Sequence, residues 1–339
     1  DEAGNRTVAH VVVPVIYPEG SRGVHVSSAA WADDDLRAGV LALVDQGLIN
    51  TVELDLKDES GIVGYDSQIP MAREIGAVSA DYDLAEAVRT LNAEGVRVVG
   101  RLVAFRDPIY ASAAWADGRA DEVLQTPTGD MLETYRGGFA NYAHPAVRQY
   151  NLDIALEAVS LGVKDILWDY IRRPEGDPSS MLVPGLEGPS SRSVADFLAE
   201  THAALRKEGA YQGASVFGIA AAAGDSIAQD IPEMARVVDY LAPMIYPSHW
   251  GPGMYRVDSP ITEPYAITAK SLADFQRVAE GTGVRFMPWI QDFTLYGVTY
   301  GPAEVRAQID AAASLGIDSF LLWNPNVRYH GDALDPLPE

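Results

Sequence analysis

The sequence predicts a single (β/α)8 barrel, on three observations: eight short runs rich in β-branched and aromatic residues, longer helical patterns between them, and glycines where those patterns stop. Such alternation is the signature of repeated βα units around a parallel sheet. Eight units in 339 residues match the size of a closed barrel, whereas an open doubly wound sheet usually needs fewer strands.

In chain order the strand-like runs fall at residues 23–27, 51–57, 97–105, 165–170, 215–220, 240–246, 285–291 and 319–324. Between them, residues 34–46, 84–94, 146–161, 194–208, 231–238, 272–280 and 303–315 repeat apolar residues at helical spacing. Gly47, Gly95, Gly162, Gly209, Gly281 and Gly316 stand where a left-handed cap would end a helix before the next strand. Two insertions interrupt the rhythm, at 106–145 and, rich in Pro, Gly and Ser, at 174–192. Both follow strands, so both belong on the C-terminal face, where barrel active sites lie and long loops form lids or substrate walls. Neither a repeat nor a linker divides the chain. One domain is expected at 23–330, with an N-terminal extension at 1–22 and a C-terminal tail at 331–339.

Composition narrows the function classes. A hydrophobic fraction of 47% is globular, and 25 basic against 48 acidic side chains give a net charge of −23. A field of that sign repels nucleic acid, which is not expected as a partner. The absence of cysteine excludes disulfides and thiolate chemistry. No apolar stretch approaches the roughly 20 residues of a membrane span, so membrane insertion is not expected. A chain beginning at Asp1 reads as a processed protein, secreted or at the cell surface. His10, His25, His144, His202, His249 and His330 are scattered with no i, i+4 pair, and neither a catalytic metal nor a cofactor is expected.

The second run, TVELDLK at 51–57, puts Glu53, Asp55 and Lys57 on one parity. If that parity points into the barrel, its charges must be paired or used, either as an internal Asp55–Lys57 ion pair or as a substrate-orienting pair near the rim. Lys57 as a Schiff-base amine is disfavoured, because Asp55 beside it would keep it charged. The fourth run ends in Trp168, Asp169 and Tyr170, followed by Arg172 and Arg173. A carboxylate at that tip can act as nucleophile, as stabiliser of an oxocarbenium-like transition state or as proton donor, unless it is tied up by Arg101, Arg172 or Arg173. Trp168, of opposite parity, belongs with the helices. Asp58, Asp225 and Asp292 stand at other strand ends, and glycoside chemistry needs a pair of carboxyls. Trp250, Trp289 and Trp323 lie at or beyond strand ends, where flat aromatic faces contact sugar rings. His249, in the loop after the sixth run, reads either as a substrate contact or as a loop hydrogen bonder.

Four segments, WDYIRRPEG at 168–176, APMIYPSH at 242–249, PWIQDF at 288–293 and LLWN at 321–324, carry a resemblance in order and spacing. Further agreement lies in ELDLKD at 53–58, RLVAFRDP at 101–108 and YNLDIA at 150–155. Over residues 22 to 330 the chain resembles a bacterial family of glycoside-hydrolase-like domains, first catalogued as a domain of unknown function. It departs from that family's pattern at Leu167, Trp168 and Arg173. The resemblance implies a barrel with glycosidase-like chemistry. The Trp168–Tyr170 tip also looks like the fourth-strand nucleophile segment of barrel enzymes acting on α-galactosides and α-glucosides. The expectation is a glycoside hydrolase cleaving an α-linked polysaccharide or oligosaccharide with retention. Asp169 is the expected nucleophile, Asp225 the acid/base and Asp292 the reserve acid. Asp55, Lys57, Arg101, Gln291 and Asn324 would hold hydroxyls, while Tyr246, Trp250, Trp289 and Trp323 would frame the sugar. The alternative is a non-catalytic glycan-binding barrel.

Overall fold

The computed structural model describes residues 17–134 and 137–338. Most of the expected N-terminal extension, residues 1–16, lies outside the described residues. Eight barrel strands run Arg22–Val26, Thr51–Lys57, Arg97–Val103, Asp165–Asp169, Tyr211–Phe217, Tyr240–Met244, then Arg285–Phe286 with Trp289–Gln291 as two pieces of the seventh, and Phe320–Trp323. Every neighbouring pair is parallel, and the first strand pairs with both the second, Val24 opposite Val52, and the eighth, Val24 opposite Leu322. The sheet is therefore closed, as the sequence predicts.

Helices fall between the strands, though the expected 231–238 is helical only over Ile231–Met234 and the expected 272–280 begins at Pro264 and ends at Val278, and the six helix-ending glycines all have positive φ, from 65° at Gly47 to 110° at Gly162. Local chemistry explains the starts. Asp33, Asp83 and Asp107 each cap a helix by accepting from backbone N–H groups of its first turn. The fifth strand differs from expectation, spanning 211–217 and not 215–220. Gln229 Oε1 accepts from Phe217 N at 2.8 Å and ends the ladder there, and the apolar run beyond turns into the helix Ala220–Ala223. The seventh strand breaks at Pro288, which has no N–H to donate.

Three features were not expected. Two short strands, Val63–Tyr65 and Val78–Tyr82, extend the sheet beyond the second barrel strand. A helix, Pro108–Ala116, occupies the first insertion. The two insertions are also tied to each other: Gln125 and Leu182 exchange backbone hydrogen bonds of 2.9 and 2.7 Å, and Asn141 Nδ2 donates to Pro184 O. The C-terminal tail packs down, with Leu337 N donating to Gly47 O at 2.8 Å and Asp335 paired with Arg306.

Parity decides what faces the barrel interior. At the floor, Asp165 accepts from Tyr17 Oη at 2.8 Å and Tyr240 Oη at 3.0 Å, with Arg97 3.7 Å away. Gly213 leaves room for the Tyr240 ring, against which a Cβ would stand 2.1 Å from Cζ. Above them Val99, Leu167, Ala242, Met287 and Leu321 fill the middle. Trp168 points the other way, onto Phe197, with its Nε1 donating to Gln212 Oε1.

The second strand corrects one expectation. Glu53 and Asp55 face inward, but a register irregularity between Asp55 and Lys57 turns Lys57 outward. Its ammonium is fully buried against the helix Pro145–Ser160, donating to Asp107 Oδ2 and Asn151 Oδ1, each at 2.8 Å. Asp55 and Lys57 do not pair with each other, and the Lys57 ammonium does not line the cleft at the barrel mouth. Removing it by Lys57→Met leaves the Asp107 carboxylate buried without its cation, and a stability loss of about 3–5 kcal/mol is expected. Urea denaturation measures this, and an unchanged midpoint would contradict the assignment.

Burial raises Asp165 from the ordinary carboxylate range to about 6. The folded chain then keeps a proton that the unfolded chain has lost, so this group's contribution falls as pH rises from about 4 to about 6. Asp165→Asn should remove that decline. Denaturation midpoints for both proteins between pH 4 and 7 test it, and parallel curves would refute it.

Candidate active site

The C-terminal mouth of the barrel opens into a cleft of about 390 Å³. Its floor is charged. Arg101, from the third strand, donates through Nε and Nη2 to Asp169 Oδ2 at 2.9 and 2.6 Å, and through Nη1 to Asp55 Oδ1 at 2.7 Å. The same Nη2 donates to Glu59. Asp169 is completed by Tyr170 N, which donates to its Oδ1 at 2.7 Å. Tyr170 holds this position at a φ of 49°, a conformation a non-glycine residue adopts only when its surroundings impose it.

Glu59 is the acidic residue the sequence reading missed, passed over for its neighbour Asp58. Asp58 Oδ1 accepts from Ser60 N and Ile62 N, both at 2.9 Å, and so builds the turn that returns Glu59 over Arg101. Burial works to raise the Glu59 carboxyl, but the Arg101 charge and hydrogen bond bring it below its ordinary value. Both Asp169 and Glu59 line the cleft. Two acceptors on one nitrogen are separated by no more than about twice a hydrogen-bond length, roughly 6 Å.

Just beneath lie His25, Glu53 and Asp55, all buried. Burial pushes Glu53 well above the carboxylate range, against the pull of His25 and Arg101. Burial also acts upward on Asp55, but Arg101 and His25 outweigh it and lower it. His25, which burial alone would lower, is raised by Asp55 and Glu53.

An aromatic wall faces the charges. Tyr246, Phe293 and Trp323 stack mutually, with Trp323 4.9 Å from Phe293 edge-on and 5.7 Å from Tyr246, and Trp289 and His249 continue the lining. On the other side Arg172 lies over the rings of Tyr170 and Phe217 at 4.7 and 5.0 Å. Of the expected residues, Asp169, Arg101, Tyr246, His249, Trp289 and Trp323 meet in this cleft.

The others do not. Asp225 is exposed on a short 3-10 turn, and its backbone carbonyl accepts from Arg173 Nη2 at 2.7 Å. Asp292 is buried away from the cleft, accepting from His330 N at 2.9 Å and meeting the His330 ring. Gln291 Oε1 accepts from Ser248 N and its Nε2 donates to Phe293 O. Asn324 donates to Asp292 O and Arg328 O, holding the last loop. Trp250 sits in a separate apolar cluster with Val257 and Ile267. For Gln291, Asp292 and Asn324 the side chain is engaged by loop backbone groups, a demand that residue type at a strand tip does not reveal. Neither long insertion lines the cleft, contrary to the expectation of substrate walls.

Known structures share the fold. The glycoside hydrolase domain of PgaB (BpsB) from Bordetella bronchiseptica superposes with a TM-score of 0.67 at 15% identity, covering 95% of this chain and 100% of that one. The glycoside hydrolase domain of PelA from Pseudomonas aeruginosa gives 0.52 at 14%, covering 92% and 97%. An α-galactosidase from Thermus thermophilus gives 0.56 at 12%, covering 93% and 60%. No curated protein matches the sequence. The family model does, across residues 23–329, and the chain belongs to the family described as "Putative glycosyl hydrolase domain".

Proposed function

We propose that this barrel cleaves O-glycosidic bonds in a polysaccharide or oligosaccharide, with Asp169 as nucleophile and Glu59 as the second carboxyl. The observation that carries the reading is their joint attachment to Arg101 Nη2 at the floor of an aromatic-walled cleft. Retaining glycosidases hold their carboxyls about 5–5.5 Å apart, and inverting ones leave about 6.5–9.5 Å for a water. The spacing that one nitrogen permits supports retention. Arg101 orients both groups and spreads their charge. Trp323, the partly exposed member of the aromatic wall, offers a face for a sugar ring, while Tyr246 and Trp289 are buried in the wall.

Glu59 must carry a proton to assist the leaving oxygen. Burial is the largest influence on it and acts upward, so a sugar that covers the cleft and draws Arg101 toward itself favours the protonated form. The α-linkage rests on the likeness of the Trp168–Tyr170 tip to the nucleophile segment of barrel enzymes acting on α-galactosides and α-glucosides.

A panel of bacterial and plant glycans tests the proposal, with products read by chromatography. Asp169→Asn and Glu59→Gln should each lower turnover by at least about 10²-fold while leaving the fold intact. The first-formed anomer, followed by NMR, should match the bond cleaved. Full turnover by folded Asp169→Asn would refute the nucleophile.

A second reading, a glycan-binding barrel without hydrolysis, draws on the engagement of both Asp169 oxygens by Arg101 and Tyr170 N. Glycan binding without product on any member of the panel would favour it.

A further inference from the structure

The barrel mouth crowds several acids together. Around the single guanidinium of Arg101 stand Asp55, Glu59 and Asp169, with Glu53 close below and Lys57 turned outward to Asp107. Glu53 is fully buried, and neither carboxylate oxygen has a hydrogen-bond partner. Both ring nitrogens of His25, also buried, lack one too. Buried polar atoms are nearly always satisfied, so orphaned atoms on two adjacent side chains point to a partner that the chain itself does not supply.

The placement of those atoms suggests the partner. His25 and Glu53 sit opposite each other in the first two strands, and Asp55 lies two residues on, on the same inward parity. One ligand atom from each of the three falls within 4.8 Å of the others, and His25 Nε2 is 3.1 Å from Asp55 Oδ1 without the geometry of a hydrogen bond. Donors that share an ion at about 2.0–2.2 Å stand no more than about 4.4 Å apart, so the three atoms need to close by at most a few tenths of an ångström around an ion. All three ride on barrel strands, so the arrangement is rigid before any ion arrives.

We propose that His25, Glu53 and Asp55 form a site for one divalent transition-metal ion. An imidazole with two carboxylates suits Zn²⁺, Mn²⁺ or Fe²⁺ better than Ca²⁺ or Mg²⁺, which prefer all-oxygen sets. Entry is from the cleft, whose lining includes Arg101, bound to Asp55, and Trp289, whose ring lies 6.2 Å from that of His25. Asp55 Oδ1 also accepts from Arg101 Nη1, so occupancy and the position of Arg101 are linked. The site stands independently of glycoside cleavage, because it is read by binding alone.

The experiment titrates chelator-treated protein with Zn²⁺ by calorimetry and with Co²⁺ by visible absorption. One ion per chain is expected, with cobalt ligand-field bands that Zn²⁺ displaces. Loss of a metal's outer partners costs about 10–100-fold in affinity, so Glu53→Gln and His25→Gln should each cost at least about 100-fold. No stoichiometric ion on the wild-type chain would overturn the proposal, and would leave Glu53 as a carboxyl that simply keeps its proton. Binding that survives both substitutions unchanged would overturn it equally, by placing the ion elsewhere.

Discussion

One guanidinium organises the mouth of this barrel. Arg101 reaches Asp55 on the strand to one side, Asp169 on the strand to the other and Glu59 on the loop above, which no single ammonium could do with fixed geometry. Gathering three carboxylates at one point, two of them buried, is unfavourable unless a cation with several directed donors stands among them. Arg101 is held from both sides and above by those acids, and it fixes the orientation of each in return. Asp169 is further locked by the backbone of Tyr170, whose unusual φ shows that the strand tip is held by its surroundings and not by its own preference.

Strand parity distributes the remaining chemistry. In the fourth strand alternation sends Asp169 inward and Trp168 to the helix layer. In the second strand alternation alone would have sent Lys57 inward with Asp55. The register irregularity between them reverses Lys57, so that the acids remain with Arg101 while the lysine braces Asp107 and the helix Pro145–Ser160. A one-residue disturbance in a ladder thus separates the charges of the cleft from those of the outer shell.

The aromatic wall has a different origin. Tyr246, Trp289, Phe293 and Trp323 come from the ends of the sixth, seventh and eighth strands, which closure brings together on the side opposite Asp169. The long insertions bond to each other and leave the cleft to the strand ends and short loops. A charged floor with apolar faces beside it suits a sugar, which has hydroxyl edges and a hydrophobic ring face.

Among the described residues no helix is long and apolar enough to cross a membrane. The number of barrel strands, their order and the helix-ending glycines were legible in the sequence, because they rest on local periodicity and on the φ that glycine tolerates. So was Asp169, since the tip of a barrel strand fixes where a side chain emerges. Tertiary structure alone decided the company that each residue keeps. Asp225 lies on a turn well beyond the fifth strand and Asp292 directly follows the seventh, yet one is exposed and the other is bound to His330, because loop conformation determines where a side chain beyond the strand is aimed. Glu59 shows the converse, delivered to Arg101 by the turn that Asp58 builds. His25, Glu53 and Asp55 meet only across the register of two strands, a spacing that no linear motif records.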